Sequence, residues 1–321
     1  MVRERGEGGI GAGGETGGPE LNVAGFQDSS SPATLGGSTV QESVADGAET
    51  KRLNSLVRRG TLVLPSSRRP NLVDLSNALA RWGGAHRGGI SAGVQRIGRL
   101  LHDPEHLVFV LIDGLGSVSL PDLPPGGFLR THVAMELQTV FPSSTASALT
   151  SLATGAWPGQ HGVTGWWTQL RRLRVAAALL PYTTRPSASG DAVPLMNLGV
   201  TSKEVFLTPS TLNRFVKDAV AVFPREIAQG AYSTFFSGGQ PRLGYRSTAD
   251  AVDMVMDRIG RAALPSYTYL YFSEVDERAH RLGRRHGRTI HALRQIDTAL
   301  GRLALGVGKT ARVVVTGDHG M

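Results

Sequence analysis

Three stretches of the chain, His106–Ile112, Ser266–Phe272 and Ala311–Thr316, stay largely apolar or aromatic for the length of a strand. The first run predicts a central parallel strand buried on both faces, the second another buried strand, and the third a further strand. Between them the period changes. Leu72, Leu75 and Leu79 recur at helical spacing behind Asn71, a good N-cap. Residues 250–259 read as a further helix. So do 289–305, through Ile290, Leu293, Ile296, Leu300 and Leu303. Residues 83–89 read as a loop. Residues 136–140 alternate polar and apolar, as a half-buried strand does. Pro142 ends that strand, and Ser143 or Ser144 opens a helix of small residues that Gly155 stops. Thr145 therefore sits near a helix N-terminus, where free N–H groups and the positive dipole end suit a phosphate or an alkoxide. Residues 168–247 look like an insertion of mixed structure, with a helix over 210–217. Strands alternating with helices predict an α/β fold: a doubly wound, mostly parallel sheet with helices on both faces.

Residues 1–62 break with this pattern. They are rich in Gly, Ser, Glu and Thr and poor in large apolar residues, so they bury too little surface to offset their ordering entropy. They are expected to be disordered and dispensable for stability and metal content, with residues 63–321 forming the domain.

Composition narrows the chemistry. The chain has 321 residues, of which 40% are hydrophobic and none is cysteine. Disulfides, thiolate metal sites and a cysteine nucleophile are excluded. The formal net charge is +8 and the sequence pI about 10.3. Lysine occurs only at Lys51, Lys203, Lys217 and Lys309, so the positive charge is nearly all arginine. It reads as a solvated basic surface or as attraction for anionic substrates. No basic run with interleaved aromatics and no other nucleic-acid module is present. No stretch reaches the roughly 20 apolar residues of a transmembrane helix, and the start lacks a signal-peptide core. The expected location is cytoplasmic. Oligomeric state is not legible.

The apolar strands run into carboxylates. Asp113 follows the first, Asp276 lies just beyond the second and Asp318 just beyond the third. His280 stands four residues after Asp276, and His319 follows Asp318. Each alone reads as a turn former, a cap or a surface pair. Together they differ, because the C-terminal ends of parallel strands open on one edge, where such sheets hold ligands. That edge would collect Asp113, Asp276, His280, Asp318, His319 and Thr145. Carboxylates so close repel one another unless cations lie among them, and Asp and neutral His suit zinc or a similar divalent ion. A site for two divalent ions is the economical interpretation. Gly308-Lys309-Thr310 ends like a phosphate-binding loop, but Leu303 stands where that loop needs glycine.

These pieces resemble a known family. Leu111-Ile112-Asp113-Gly114, Phe141-Pro142-Ser143-Ser144-Thr145, Ala153-Thr154-Gly155 with His161-Gly162, Asp276 with His280, and Thr316-Gly317-Asp318-His319-Gly320-Met321 occur in the order seen in the type I phosphodiesterase/nucleotide pyrophosphatase family of the alkaline phosphatase superfamily. The resemblance spans roughly residues 70–321. It implies a Thr145 nucleophile and two zinc ions, one held by Asp113, Asp318 and His319 with Thr145 beside it, the other by Asp276 and His280. It also implies a small phosphodiester or nucleotide substrate. Ala148 stands where many members carry a phosphate-contacting Asn. The family's further histidine ligand lies beyond the Asp-His-Gly motif, where this chain stops. The expectation is an incomplete domain with about one tightly held zinc and little turnover. The competing readings are an inactive metal- or nucleotide-binding remnant and a metal-dependent phosphomonoesterase.

Overall fold

The computed structural model describes residues 47–62, 69–85, 89–171, 173–186 and 190–321. These fall into two units, one before residue 65 and one from 65 onward. In the first, Ala48–Arg58 forms helix α1. Its apolar Leu53, Leu56 and Val57 fall within three to four residues of one another, which favours a turn of helix over coil. Disorder was expected over 1–62. Residues 1–46 lie outside the described residues, and 48–58 are helical.

The second unit opens with α2 (Leu72–Trp82) and α3 (Ala92–Leu101). Asn71 caps α2 by accepting the Asp74 amide at 3.0 Å, and Ser91 caps α3 by accepting that of Val94 at 3.0 Å. The buried Asp74 carboxylate accepts from Asn71 Nδ2 at 2.8 Å and Ser91 Oγ at 2.6 Å, tying the two helix starts together. Of the loop expected at 83–89, residues 86–88 lie outside the described residues. Strand β1 (His106–Ile112) follows, then the short α4 (Phe128–Thr131), α5 (Thr145–Thr154) and the single turn α6 (Pro158–His161). Strands β2 (Trp167–Leu170), β3 (Val175–Ala178) and β4 (Thr183–Thr184) make a small antiparallel sheet. Then come α7 (Ser202–Val205), β5 (Asp218–Pro224), α8 (Ala231–Phe236), β6 (Arg242–Tyr245), α9 (Thr248–Arg261), β7 (Ser266–Phe272), α10 (Glu274–Leu282), α11 (Gly287–Val307) and β8 (Ala311–Thr316).

The main sheet has the order β6-β5-β7-β1-β8, and every pairing in it is parallel. Side chains alternate across a strand. Leu107, Phe109 and Leu111 of β1 therefore join Tyr267, Tyr269 and Tyr271 of β7 in a core under α2, α3 and α5. Val108, Val110 and Ile112 join Leu270 and Phe272 in a second core under α9 and α11. This is the doubly wound α/β sheet that the apolar runs predict. No described helix is long and apolar enough to cross a membrane.

Three expectations fail. Residues 136–140 make no strand. Gln138 forms an isolated bridge with Asn71, exchanging bonds with Pro70 and Leu72 at 2.9 and 3.0 Å, so this extended segment is held by the start of α2 and not by the sheet. The helix expected over 210–217 is only a 3-10 turn, Thr211–Arg214. Phe215 leaves it with extended backbone, packing edge-on to Tyr267 at 5.0 Å and close against Gly83. Residues 168–247 are no mere insertion, since they supply two of the five strands in the main sheet, β5 and β6. Ala219 to Phe223 of β5 is a fully buried apolar run, a signal shortened by its small alanines.

Candidate active site

Parallel strands end together, so β1, β7 and β8 deliver their C-terminal residues to one edge. At the end of β1 the Asp113 amide donates to the Phe272 carbonyl at 2.9 Å, carrying the ladder one step beyond the strand. Gly114 then turns with φ +73°, and a Cβ there would lie 3.1 Å from that of Asp276. A side chain at 114 would thus be strained in backbone and crowded against a candidate ligand. The Gly114 amide donates to Asp318 Oδ1 at 3.0 Å, which locks the turn after β1 to the turn after β8. Thr139, in the segment that failed to become a strand, donates its hydroxyl to the Asp318 carbonyl.

Thr145 is the first residue of α5. Ser144 caps that helix without a side-chain bond to its amides, which leaves the first-turn N–H groups available to a ligand. Residues 146–154 of α5 are all buried, and Gly155 ends the helix at φ +68°. His161 helps to fix α5. The Val163 amide donates to its Nδ1 at 3.1 Å, so its Nε2–H faces Ser151 Oγ at 2.9 Å. Burial lowers His161 to about 4, which keeps it neutral and structural.

Thr145 Oγ1 lies 2.9 Å from His319 Nε2 and 3.4 Å from Asp113 Oδ1. His319 Nε2 is also 3.5 Å from Asp318 Oδ2, 3.6 Å from Asp113 Oδ1 and 4.0 Å from Asp276 Oδ1. Asp113 is nearly inaccessible and Asp318 wholly so. Burial pushes Asp113 well above the usual carboxylate range, and the Asp318 and Asp276 charges push it further. Burial raises Asp318 to about 6 against the hydrogen bond from Gly114. Asp318 Oδ2 and Asp276 Oδ1 are buried without a hydrogen-bond partner among the described residues. Buried anionic oxygens left so are costly, and a divalent cation would satisfy them. The donor set, carboxylate and imidazole, fits one.

All six expected residues reach this edge, but not equally. Asp113, Asp276 and His319 have ligand atoms within 4.8 Å of one another, the arrangement among the described residues that can share an ion. This group crosses the expected division, which placed Asp276 with His280. His280 is reached from Asp276 Oδ2 at 3.3 Å along α10, with its side chain 75% exposed. Ala148 is fully buried in the core, so its position presents nothing to a ligand. Two contacts at the site carry no sequence motif. One is the Thr139 hydroxyl on Asp318. The other is the Tyr271 hydroxyl, which donates to Asp113 Oδ2 at 2.5 Å. The only cue to Tyr271 was a phenol in a buried strand, which needs a partner.

A family model for type I phosphodiesterase/nucleotide pyrophosphatase matches residues 107–321, well over half of the chain. Venom phosphodiesterase 2 of Crotalus adamanteus is 24% identical over 198 residues, 60% of this chain and 23% of its own. Among solved structures, murine ectonucleotide pyrophosphatase/phosphodiesterase 5 is similar at a TM-score of 0.48 and 18% identity, over 67% of this chain and 57% of that one. Phosphonoacetate hydrolase of Sinorhizobium meliloti is similar at 0.43 and 16%, over 68% and 57%. The chain thus spans about a quarter of that curated relative and somewhat over half of each of these two structures.

Proposed function

Because the chain belongs to the type I phosphodiesterase/nucleotide pyrophosphatase family, we propose that it hydrolyses phosphodiester or pyrophosphate bonds of small nucleotide-like substrates, with Thr145 as nucleophile. The observation that carries this is the position of the Thr145 hydroxyl. It stands at the open N-terminus of α5, within 2.9 Å of His319 and 3.4 Å of Asp113. Asp113, Asp318, His319, Asp276 and His280 would hold two divalent ions, zinc by the nature of the donors. Such ions, when bound, supply positive charge that lowers the pKa of a neighbouring hydroxyl or water.

The residues do the rest. Thr145 Oγ1 attacks phosphorus in line; the bond to the first alcohol or phosphate breaks, that group leaves with the threonine proton, and phosphorus stays bonded to Thr145 and to the rest of the substrate. Water then displaces Thr145 from phosphorus and restores the hydroxyl. The first-turn amides of α5 receive the phosphoryl oxygens, where the helix dipole favours negative charge. Gly114 and Asp318 keep the turns of β1 and β8 in register, so the carboxylates need little reorganisation. The test is zinc-dependent release of nitrophenol from bis(4-nitrophenyl) phosphate beside 4-nitrophenyl phosphate. Faster turnover of the diester is expected. Monoester turnover alone would assign a phosphomonoesterase, and zinc binding without turnover of either would leave a binding remnant.

A further inference from the structure

Each carboxylate at the site has two oxygens, and Asp113 uses them differently. Oδ1 faces the reacting side, 3.4 Å from Thr145 Oγ1 and 3.6 Å from His319 Nε2. Oδ2 faces the sheet and accepts the Tyr271 hydroxyl at 2.5 Å. A carboxylate rotates freely about its last torsion unless one oxygen is tied. Tying Oδ2 fixes the direction of Oδ1.

Tyr271 is itself immobile. It lies on β7 beside Leu111 of β1, in full parallel register. Its carbonyl accepts the Tyr245 hydroxyl at 3.1 Å, and its ring packs on Phe223 with centroids 6.2 Å apart. It is almost wholly buried. Its neighbour on the same strand face gives the contrast: the Tyr269 hydroxyl is buried without a hydrogen-bond partner among the described residues. Two phenols two residues apart therefore share strand, face and burial. One touches a candidate ligand and the other does not.

We propose that Tyr271 is a positioning residue that orients Asp113 for metal binding, acting from behind the site through Asp113 Oδ2. The inference rests on the metal-binding function proposed above. Outer partners of metal-binding carboxylates and histidines typically govern affinity by 10- to 100-fold.

The experiment is a zinc titration of the full chain against a chromogenic chelator, for the native protein, Tyr271→Phe and Tyr269→Phe, with thermal melts in EDTA. Tyr271→Phe should weaken zinc binding by about 10-fold or more, with its metal-free melting temperature close to that of Tyr269→Phe. Excess zinc should restore its turnover to within a few-fold of native. Tyr269→Phe should bind zinc as the native protein does. If Tyr271→Phe fails to fold, 3-fluorotyrosine placed at position 271, a stronger donor of nearly the same shape, takes its place and should shift the affinity. Zinc bound by the native protein and with equal affinity by the position-271 variant would overturn the positioning role and leave the metal site standing. No zinc bound by the native protein would overturn both.

Discussion

Asp318 and His280 are both offered to the same sheet edge, yet the molecule treats them oppositely. Asp318 is wholly buried, held by an amide from the turn after β1 and by the Thr139 hydroxyl. His280 sits on the second turn of α10 with most of its side chain in solvent, beside Asp276. Thr145, Asp113 and His319 belong with Asp318, while Asp276 stands between the halves. Its Oδ2 meets His280 at 3.3 Å, and its Oδ1 lies 4.0 Å from His319. Asp318 follows β8, an edge strand of the sheet, and it is fixed by the ladder to β1 and by the Gly114 amide from the turn after that strand. An exposed helical turn is fixed by its own backbone only. The buried half is therefore preorganised, and the exposed half adjusts to whatever it binds.

The largest effect expected from this difference is at Thr145. Thr145→Ala should lower diesterase turnover by about 10³-fold or more, with zinc content little changed, measured by nitrophenol release and metal analysis. Retained turnover would remove Thr145 from the nucleophile's role. Next comes Asp318→Ala. It removes a carboxylate and frees the Gly114 amide, so zinc affinity should fall by more than about 100-fold, beyond what an outer partner governs. His280→Ala should cost about 10-fold or less, since a solvated side chain reaching one partner contributes little to preorganisation. A loss as large as that of Asp318→Ala would erase the distinction between the halves.

The smallest effect is on stability, and its sign separates the halves most cleanly. Asp113 and Asp318 hold protons in the folded, metal-free protein at pH values where the unfolded chain releases them, near 4. The contribution of Asp318 is thus full below about pH 4 and lost as pH rises through about 6, its folded value, while that of Asp113 is lost as pH rises through its own raised folded value. The metal-free melting temperature should fall over that window, and zinc should reverse the trend because it binds the deprotonated form. A melting temperature that climbs steadily with pH in EDTA would show that these carboxylates are not held in a desolvated cluster.

The amino-acid sequence by itself determined the strands β1, β7 and β8 to the residue: β1 and β7 because a strand buried on both faces is apolar or aromatic nearly throughout, and β8, a half-buried edge strand, through its run of valines. It determined α5 as well, through a serine cap before Thr145 and a left-handed glycine at 155. It also placed Asp113, Asp276, Asp318 and His319 on one edge, since parallel strands can end nowhere else, whereas Thr145 opens a helix that directly follows no strand of the sheet. Tertiary structure decided what depended on partners distant in the chain. Residues 136–140 alternate like a strand, but Pro70 and Leu72 took their backbone bonds. Residues 210–217 had helical composition, but Phe215 left the helix to pack on Tyr267. The strand β5 was hidden by small alanines, whose burial only the neighbouring strands supply. Tyr271 met Asp113 across 158 residues. No local pattern encodes that bond, because its geometry is set by the register of two strands and not by the sequence around either.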